Sequence, residues 1–586
     1  MSFSELESLI EEAHRHLIKA LYGPDAGPRD GIPQALTELL SGRNVILSAP
    51  PGYGKTNIPY CLGYLAATRP DLCQRAIHVL PLRSIIDDCY RKLFEDKEAR
   101  LAKAPPLVKG VVARQSLDAP GSPWLQRKLI ITTLDTFTMC SMRLPPAEAR
   151  LVIRGLSLGH GFFARAAILA STVVFDEVHL FLEEGGKMAS AFSALLRWLS
   201  VFSTPVCVMS ATLPPQVEEF LRCELSFSGG FRVLRYGRDF RDEDFEIHRL
   251  QVAERLRTKK PRKGNARDIA KEAAMARESY ERVLVVVDTV ADCIRVAEMA
   301  RELGHEPVVI HGKIAREHRR KRLETLKGRE WLAVCTQVVE AGVDVSALYL
   351  VSDGAPPCAL VQRAGRVLRH AEDVGREGII SVFLDEEALA GEAYKGIYDT
   401  ELVRAAIEYL SEHRRELMWH LPSGPEGSGY EDFIRECYAK AGFTITAYGP
   451  LARGLTDLLK GFVTMARIVE TLELMGGSFV RNEPLVLGFV NYSGLKEGNA
   501  VNEKTWEELT SWQLTLSGKD VLRTLGGDFL ALVPDPSSGS FTVKRKRVKN
   551  ERHLIKELLQ GRIYGVLVPP ELYHEDYGLL TRREGD

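Results

Sequence analysis

From Val45 to Val351 the chain repeats one pattern: a short run of apolar, often β-branched residues, then a stretch with helical periodicity. The first set of runs is Val45–Ser48, Ala76–Leu80, Leu129–Thr132, Thr172–Phe175 and Val206–Met209. The second is Val283–Val287, Pro307–Ile310, Trp331–Cys335 and Ala347–Val351. A strand with one face in water alternates apolar and polar residues. A strand apolar throughout needs cover on both faces, and the intervening helices supply it. The pattern therefore predicts an α/β fold with two successive parallel sheets. After about residue 390 the alternation breaks down, and the remainder mixes helices with short strands such as Leu485–Val490. The expected division is a first α/β domain over residues 1–235, a second over 236–390, and a C-terminal mixed α+β domain over 391–586. Arg255 to Arg267 reads as an exposed loop early in the second domain, and Pro422 to Gly429 as another loop.

Composition excludes several classes. The chain is 45% hydrophobic and 26% charged, as in ordinary folded proteins rather than disordered or fibrous ones. Its net charge of -1 announces no nucleic acid globally, so any strand contact must come from a local channel. None of the ten cysteines shares C-x-x-C spacing with another, which argues against a zinc ribbon or redox pair. They read as reduced, buried small residues. The start, Met1-Ser2-Phe3-Ser4-Glu5-Leu6, lacks the basic and apolar regions of a signal peptide. Leu6, Leu9, Ile10, Leu17 and Ile18 instead mark one helix face. No run of about 18 apolar residues suggests a membrane span, and the expected location is cytoplasmic.

The first predicted strand runs into Ala49-Pro50-Pro51-Gly52-Tyr53-Gly54-Lys55-Thr56, a phosphate-loop pattern with Ala in place of the first Gly. Glycines let the backbone N–H groups face phosphates at the start of a helix whose dipole favours anions. Ala49, Gly52, Gly54, Lys55 and Thr56 are thus candidate nucleotide-binding residues. Lys55 would reach the β- and γ-phosphates, and the Thr56 hydroxyl would hold Mg²⁺. Asp176-Glu177-Val178-His179 ends another predicted strand, where α/β proteins bind ligands. Asp176 would bind Mg²⁺. Glu177 would orient and deprotonate the attacking water, a role worth roughly 10²–10⁴ in rate. Ser210-Ala211-Thr212 follows the next strand, placed to sense the nucleotide through the acidic motif.

In this order the motifs resemble those of superfamily 2 helicases of the DExH kind. The resemblance implies two tandem RecA-like domains, ATP with Mg²⁺, and movement along a nucleic-acid strand. It implies that Gln34, 21 residues before Lys55, reads the adenine edge. Cys335-Thr336-Gln337-Val338-Val339-Glu340-Ala341-Gly342-Val343-Asp344 resembles the family motif that joins strand grip to nucleotide. The match puts Thr336 on a strand phosphate and Gly342 and Asp344 near the ribose. Gln362-Arg363-Ala364-Gly365-Arg366-Val367-Leu368-Arg369 resembles the Q-x-x-G-R-x-x-R motif, which makes Gln362 a catalytic candidate and implies that Arg366 and Arg369 reach the γ-phosphate. Such arginines stabilise the spread transition-state charge, worth roughly 10³–10⁵ in turnover. Further matches imply strand contacts at Arg83, Thr133, Thr289, His311 and Gly312. Those contacts are mostly to phosphate and sugar, which position a strand without reading it.

A finer resemblance, over roughly residues 30–410, is to the CRISPR-associated helicase of type I interference systems. Leu80-Pro81-Leu82-Arg83-Ser84-Ile85-Ile86-Asp87-Asp88-Cys89-Tyr90-Arg91-Lys92-Leu93 and the stretch from Tyr398-Asp399 to Leu410 carry it, with the acidic motif and Gln337–Asp344. It implies a translocase on single-stranded DNA that unwinds target DNA opened by an RNA-guided surveillance complex. Many family members carry a fused nuclease with a His-Asp metal cluster. None of the 14 histidines here precedes Asp, and 54 residues lie before Lys55, so the expectation is a stand-alone helicase with a separate nuclease subunit. RNA helicase, restriction-type DNA translocase and ATP-gated clamp stay open as other readings. Val543–Lys549, with five basic residues, is a candidate phosphate-contacting stretch, and equally a solvated charged strand.

Overall fold

The computed structural model describes residues 2–580 apart from 82–85, 87–88, 91–92, 94–109, 117–118, 154, 184, 227–229, 341–342, 392–396, 425–428, 462 and 536–539. The fold is α/β, with two RecA-like parallel-sheet domains and a C-terminal mixed sheet. The chain separates into two compact units. One comprises residues 1–147, 159–263 and 340–462, and the other residues 148–158, 264–339 and 463–586.

The first unit holds an eight-stranded sheet. Its strands are β1 (Asn44–Ser48), β2 (Ala76–Leu80), β3 (Val112–Ser116), β4 (Ala119–Pro120), β5 (Leu129–Thr133), β6 (Thr172–Asp176), β7 (Val206–Ser210) and β8 (Phe231–Arg235). They lie in the order β4-β3-β5-β2-β6-β7-β1-β8, parallel throughout except where β3 meets β4. β1, β2, β5, β6 and β7 are buried at all five positions, as continuous apolar runs require. Helix Phe3–Tyr22 packs Leu6, Ile10, Leu17 and Leu21 into the same core, opened by a Ser2–Glu5 capping box. Register decides where the chemistry falls. Ser48 lies beside Ser210, and Asp176 beside Met209. The carboxyl ends of β6, β7 and β1 are therefore neighbours along one edge of the sheet.

The same unit contains β9 (Leu256–Thr258), β10 (Arg262–Lys263), β14 (Tyr349–Asp353) and β15 (Gly378–Leu384). β15 pairs in parallel with β14 on one side and with β9 and then β10 on the other. This corrects the expectation that 255–267 is simply an exposed loop. Leu256–Thr258 and Arg262–Lys263 find backbone partners on β15, and Lys259 N–H donates to the Ile380 carbonyl at 2.8 Å. Lysines and arginines mask such an edge strand in sequence, because their charged ends stay in water while the backbone pairs. The predicted run Ala347–Val351 sits two residues early against β14. Pro422–Gly429 falls partly on residues outside those described.

In the second unit β11 (Arg282–Val286), β12 (Val308–Ile310) and β13 (Trp331–Cys335) pair in parallel, with β13 in the middle. Beyond residue 463 a six-stranded sheet follows, built from β16 (Leu485–Val490), β17 (Ala500–Val501), β18 (Gln513–Ser517), β19 (Asp528–Pro534), β20 (Phe541–Arg547) and β21 (Gly565–Val568). Its order is β17-β20-β19-β21-β16-β18, antiparallel except for β16 with β21. Period-two alternation gives β16 two dry faces: Val486 and Val490 join one core, Leu487 and Phe489 another. A hairpin of β22 (Tyr573–His574) and β23 (Gly578–Leu579) completes the unit. Among the described residues no helix is long and apolar enough to cross a membrane.

Candidate nucleotide site

The loop after β1 bends through two glycines with positive φ, Gly52 at 79° and Gly54 at 99°, a conformation other residues rarely adopt. Ala49, 1% exposed, donates its N–H to the Ser210 carbonyl at 3.3 Å, tying the loop to the end of β7. The buried Lys55 ammonium folds onto its own loop, donating to the carbonyls of Ala49 at 2.9 Å and Pro50 at 3.4 Å. Burial draws its pKa below the ordinary value, Glu177 and Asp176 oppose that shift, and Arg369 adds to it. Thr56 stands at the N-cap of helix Asn57–Thr68, but its side chain caps no backbone N–H. Tyr53 anchors the loop from below, with ring centroids 5.2–5.6 Å from those of Tyr236, Phe240 and Phe245.

Asp176 ends β6 and is 7% exposed. Oδ1 accepts from the Glu177 N–H at 2.9 Å, and Oδ2 lies 3.2 Å from Nε2 of His78 on β2. An ionised carboxylate only accepts, so His78 Nε2 carries the proton. This partner was missed in the sequence. The available signal was an imidazole inside the otherwise apolar run Ala76–Leu80, where a polar group needs a partner. Glu177 holds φ at 50°, a left-handed conformation costly for a side-chain-bearing residue and found at sites where strain is tolerated for geometry. The hard oxygens of Thr56 and Asp176 suit Mg²⁺, which takes few protein ligands and keeps phosphates and water as the rest.

His179, two residues on, connects three motifs. Its Nδ1 lies 2.7 Å from Ser210 Oγ, and its Nε2 lies 3.0 Å from Gln362 Nε2. Ser210 Oγ donates to the Thr212 carbonyl at 2.7 Å, so it must accept from His179 Nδ1–H. Nε2 is then the acceptor for the Gln362 amide. One neutral tautomer satisfies every contact. The Gln362 amide nitrogen also lies 3.4 Å from Glu177 Oε2. Its Oε1 is a buried acceptor with no partner among the described residues.

Gln362, Arg366 and Arg369 lie in the same compact unit as the phosphate loop. They take different positions. Arg369 Nε pairs with Asp344 at 3.0 Å, and its charge acts on Lys55. Arg366 is 6% exposed and donates to the Glu340 carbonyl at 2.6 Å. Arg363, fully buried, pairs with the Glu340 carboxylate at 2.7 Å and holds the motif's backbone through Ser352 and Asp353. Gly365 leaves the space that Pro51 of the phosphate loop fills, 3.4 Å from where a Cβ would be. Gln34 is exposed on helix Gly31–Leu40, and no side-chain hydrogen bond brings it to the loop among the described residues.

The expected strand-contact residues are dispersed. Thr133 is 2% exposed and its hydroxyl caps helix Leu134–Ser141. In the second unit Thr289 caps helix Val290–Glu302 and also donates to Asp292 Oδ2 at 2.6 Å. His311 is fully buried between the Tyr577 carbonyl at 3.1 Å and the Lys313 N–H at 3.2 Å, and burial pushes its pKa down to about 3. Thr336 is 4% exposed, whereas Gly312 is open to solvent. Arg83 and Gly342 lie outside the described residues. On β20, Arg545 and Arg547 both pair with Asp528, and Lys546 pairs with Glu557. The solvated-strand reading of that stretch accounts for these three charges.

Parts of this chain are similar to known proteins. Residues 33–220 match the DEAD/DEAH box helicase family, and residues 279–372 match the C-terminal region of the CRISPR-associated nuclease/helicase Cas3 family. A Cas3-type sequence of Myxococcus xanthus is 33% identical over 227 residues, 36% of this chain and 27% of that one. The CRISPR-associated nuclease/helicase Cas3 of Methanothermobacter thermautotrophicus is 22% identical over 438 residues, 71% of this chain and 48% of that one. The chain thus spans less than half the length of these two relatives. The T. fusca Cas3 crystal structure shares the fold at a TM-score of 0.59 and 16% identity, over 94% of this chain and 69% of that one. A chain solved in a CRISPR RNA-guided surveillance complex, pre-nicking, gives a TM-score of 0.55 at 17% identity, over 92% of this chain and 67% of that one. The phosphate loop, acidic motif and arginine motif lie in one compact unit, and the chain is similar in sequence to DEAD/DEAH box helicases over residues 33–220 and to the Cas3 family over residues 279–372.

Proposed function

We propose that this protein is an ATP-dependent single-stranded DNA translocase that unwinds target DNA in CRISPR interference, alongside a separate nuclease subunit and an RNA-guided surveillance complex. The observation that carries the motor reading is the hydrogen-bonded continuity from Glu177 through Gln362 and His179 to Ser210. A change in what Glu177 and Gln362 touch at the nucleotide shifts β7, and with it the Ala49 end of the phosphate loop. In the proposed reaction Lys55 exchanges its two loop carbonyls for phosphate oxygens. Glu177 takes the proton of the attacking water, and the Gln362 Oε1 acceptor orients that water. Arg369 stabilises the charge spreading over the transferred phosphoryl group. Thr56 and Asp176 would hold Mg²⁺, which would supply charge neutralisation on the phosphates. Strand contacts are proposed at Thr133, Thr289, Gly312 and Thr336, through helix N-termini and strand ends that favour phosphate.

The test is steady-state ATP hydrolysis with Mg²⁺ in the absence of nucleic acid, with single-stranded DNA and with single-stranded RNA, using Glu177→Gln as control. Stimulation by DNA that the variant abolishes is expected. Stimulation by RNA alone would move the motor to RNA metabolism, and single-turnover hydrolysis would point to a clamp. Cutting of single-stranded DNA by the purified chain with a divalent metal would overturn the separate-nuclease part.

A further inference from the structure

The phosphate loop has a cationic neighbour that belongs to none of the helicase motifs. Arg249, on helix Glu243–Arg255, is 6% exposed. A Cβ built on Gly52 would come within 2.8 Å of its Nη2, so the guanidinium lies directly against the loop. Nη1 lies 3.1 Å from His420 Nδ1, and His420 Nε2 lies 3.2 Å from the Ala364 carbonyl in the arginine motif. A carbonyl only accepts, so Nε2 carries the ring proton and Nδ1 accepts from Arg249. Full burial, with the Arg249 charge adding to it, pushes the His420 pKa down to about 3, in keeping with a neutral ring.

Among the described residues, the rest of the surroundings offer Arg249 no anion. Among the described residues its Nε is buried without a partner and no carboxylate pairs with it. The Phe245 ring lies 5.1 Å from the guanidinium carbon. Burial, with Arg369 and Arg29 nearby, lowers the Arg249 pKa to about 10, which leaves it charged at neutral pH. A buried charge without a counter-ion is costly, and an incoming anion relieves that cost. Gly52 is the position where a side chain would displace it.

We propose that Arg249 is a further nucleotide-contacting residue, which reaches from beside Gly52 to the phosphate oxygens of a nucleoside triphosphate, with His420 as the positioning residue that aims its guanidinium. This rests on the phosphate loop binding a nucleoside triphosphate. A guanidinium serves here where an ammonium would not, because its planar fork can bond His420 and a phosphate together.

The experiment measures binding of a fluorescent ATP analogue to the full chain, with competition by inorganic tripolyphosphate and by adenosine. Arg249→Ala is expected to weaken the analogue and tripolyphosphate roughly ten- to a hundredfold, with adenosine unaffected. Arg249→Lys keeps the charge and loses the fork, and is expected to recover only part of the affinity. His420→Gln, tested by ATPase kinetics, is expected to raise KM more than it lowers kcat. Unchanged tripolyphosphate affinity in Arg249→Ala would overturn the proposal. Should that variant fail to fold, unchanged affinity in both Arg249→Lys and His420→Gln would do the same. Wild-type protein that binds neither ATP analogue nor tripolyphosphate would overturn the phosphate-loop reading itself.

Discussion

His78 offers the sharpest single perturbation of the site. It sits fully buried on β2 and donates Nε2–H to Asp176 Oδ2 at 3.2 Å, while its Nδ1 has no partner among the described residues. His78→Leu removes the donor and keeps a side chain of similar size. A hydrogen bond to a charged group contributes about 1.5–3 kcal/mol. At about 1.4 kcal/mol per decade, its loss corresponds to a ten- to 150-fold change in how well Asp176 is held for a metal. Folding should suffer much less. The variant also removes an orphaned ring nitrogen, whose burial costs about 1–3 kcal/mol, so the thermal midpoint should move by only a few degrees. The assay is ATP hydrolysis titrated with Mg²⁺ at saturating ATP, beside direct binding of a fluorescent ATP analogue across the same titration. The expected result is a Mg²⁺ requirement raised at least tenfold, with turnover largely recovered at high Mg²⁺. An unchanged Mg²⁺ midpoint in a folded variant would refute the assignment of His78 as the group that holds Asp176.

The His179 relay predicts non-additivity. Ser210→Ala and Gln362→Ala should each slow hydrolysis, and the double variant should be less impaired than the product of the two, by about 1 kcal/mol of coupling. Strict additivity in kcat would show that the two ends of His179 act independently. On β20 the ion pairs of Arg545 and Arg547 are largely exposed, so removing both cations should change stability by about 1 kcal/mol or less. It should also leave the salt slope of DNA binding unchanged, and a shallower slope would restore the phosphate-contact reading. His14 is fully buried, both its ring nitrogens have no partner among the described residues, and burial pushes its pKa down to about 4 from 6.5. The unfolded chain then binds the extra proton first, so stability is full above pH 6.5 and falls as pH drops toward about 4. His14→Leu should flatten that acid limb in denaturant titrations at pH 7 and pH 5. An equal loss in both proteins would count against it.

What the sequence determined by itself was whatever depends on local pattern. Continuous apolar runs have to be doubly covered strands, so β1, β2, β5, β6 and β7 were legible within a residue or so. Glycines between a strand and a helix allow a positive-φ bend, so the loop joining β1 to helix Asn57–Thr68 was legible as well. Edge strands were not: the basic, Pro-interrupted stretch containing β9 and β10 looks like a loop, because only a partner 122 residues away, as for Leu256 beside Gly378, makes it a strand. The same limit hid the polar partners. His78 meets Asp176 across 98 residues, Gln362 meets His179 across 183, and Arg249 meets His420 across 171. No spacing rule encodes such pairs. They exist because a parallel sheet brings the ends of distant strands to one edge, and there a buried polar group takes the nearest partner that can satisfy it. Tertiary structure also decided which motif residues were already committed. The Thr133 and Thr289 hydroxyls cap helices, and His311 is enclosed and neutral, because a hydroxyl at a helix start and an imidazole in a dry interior bond what lies beside them.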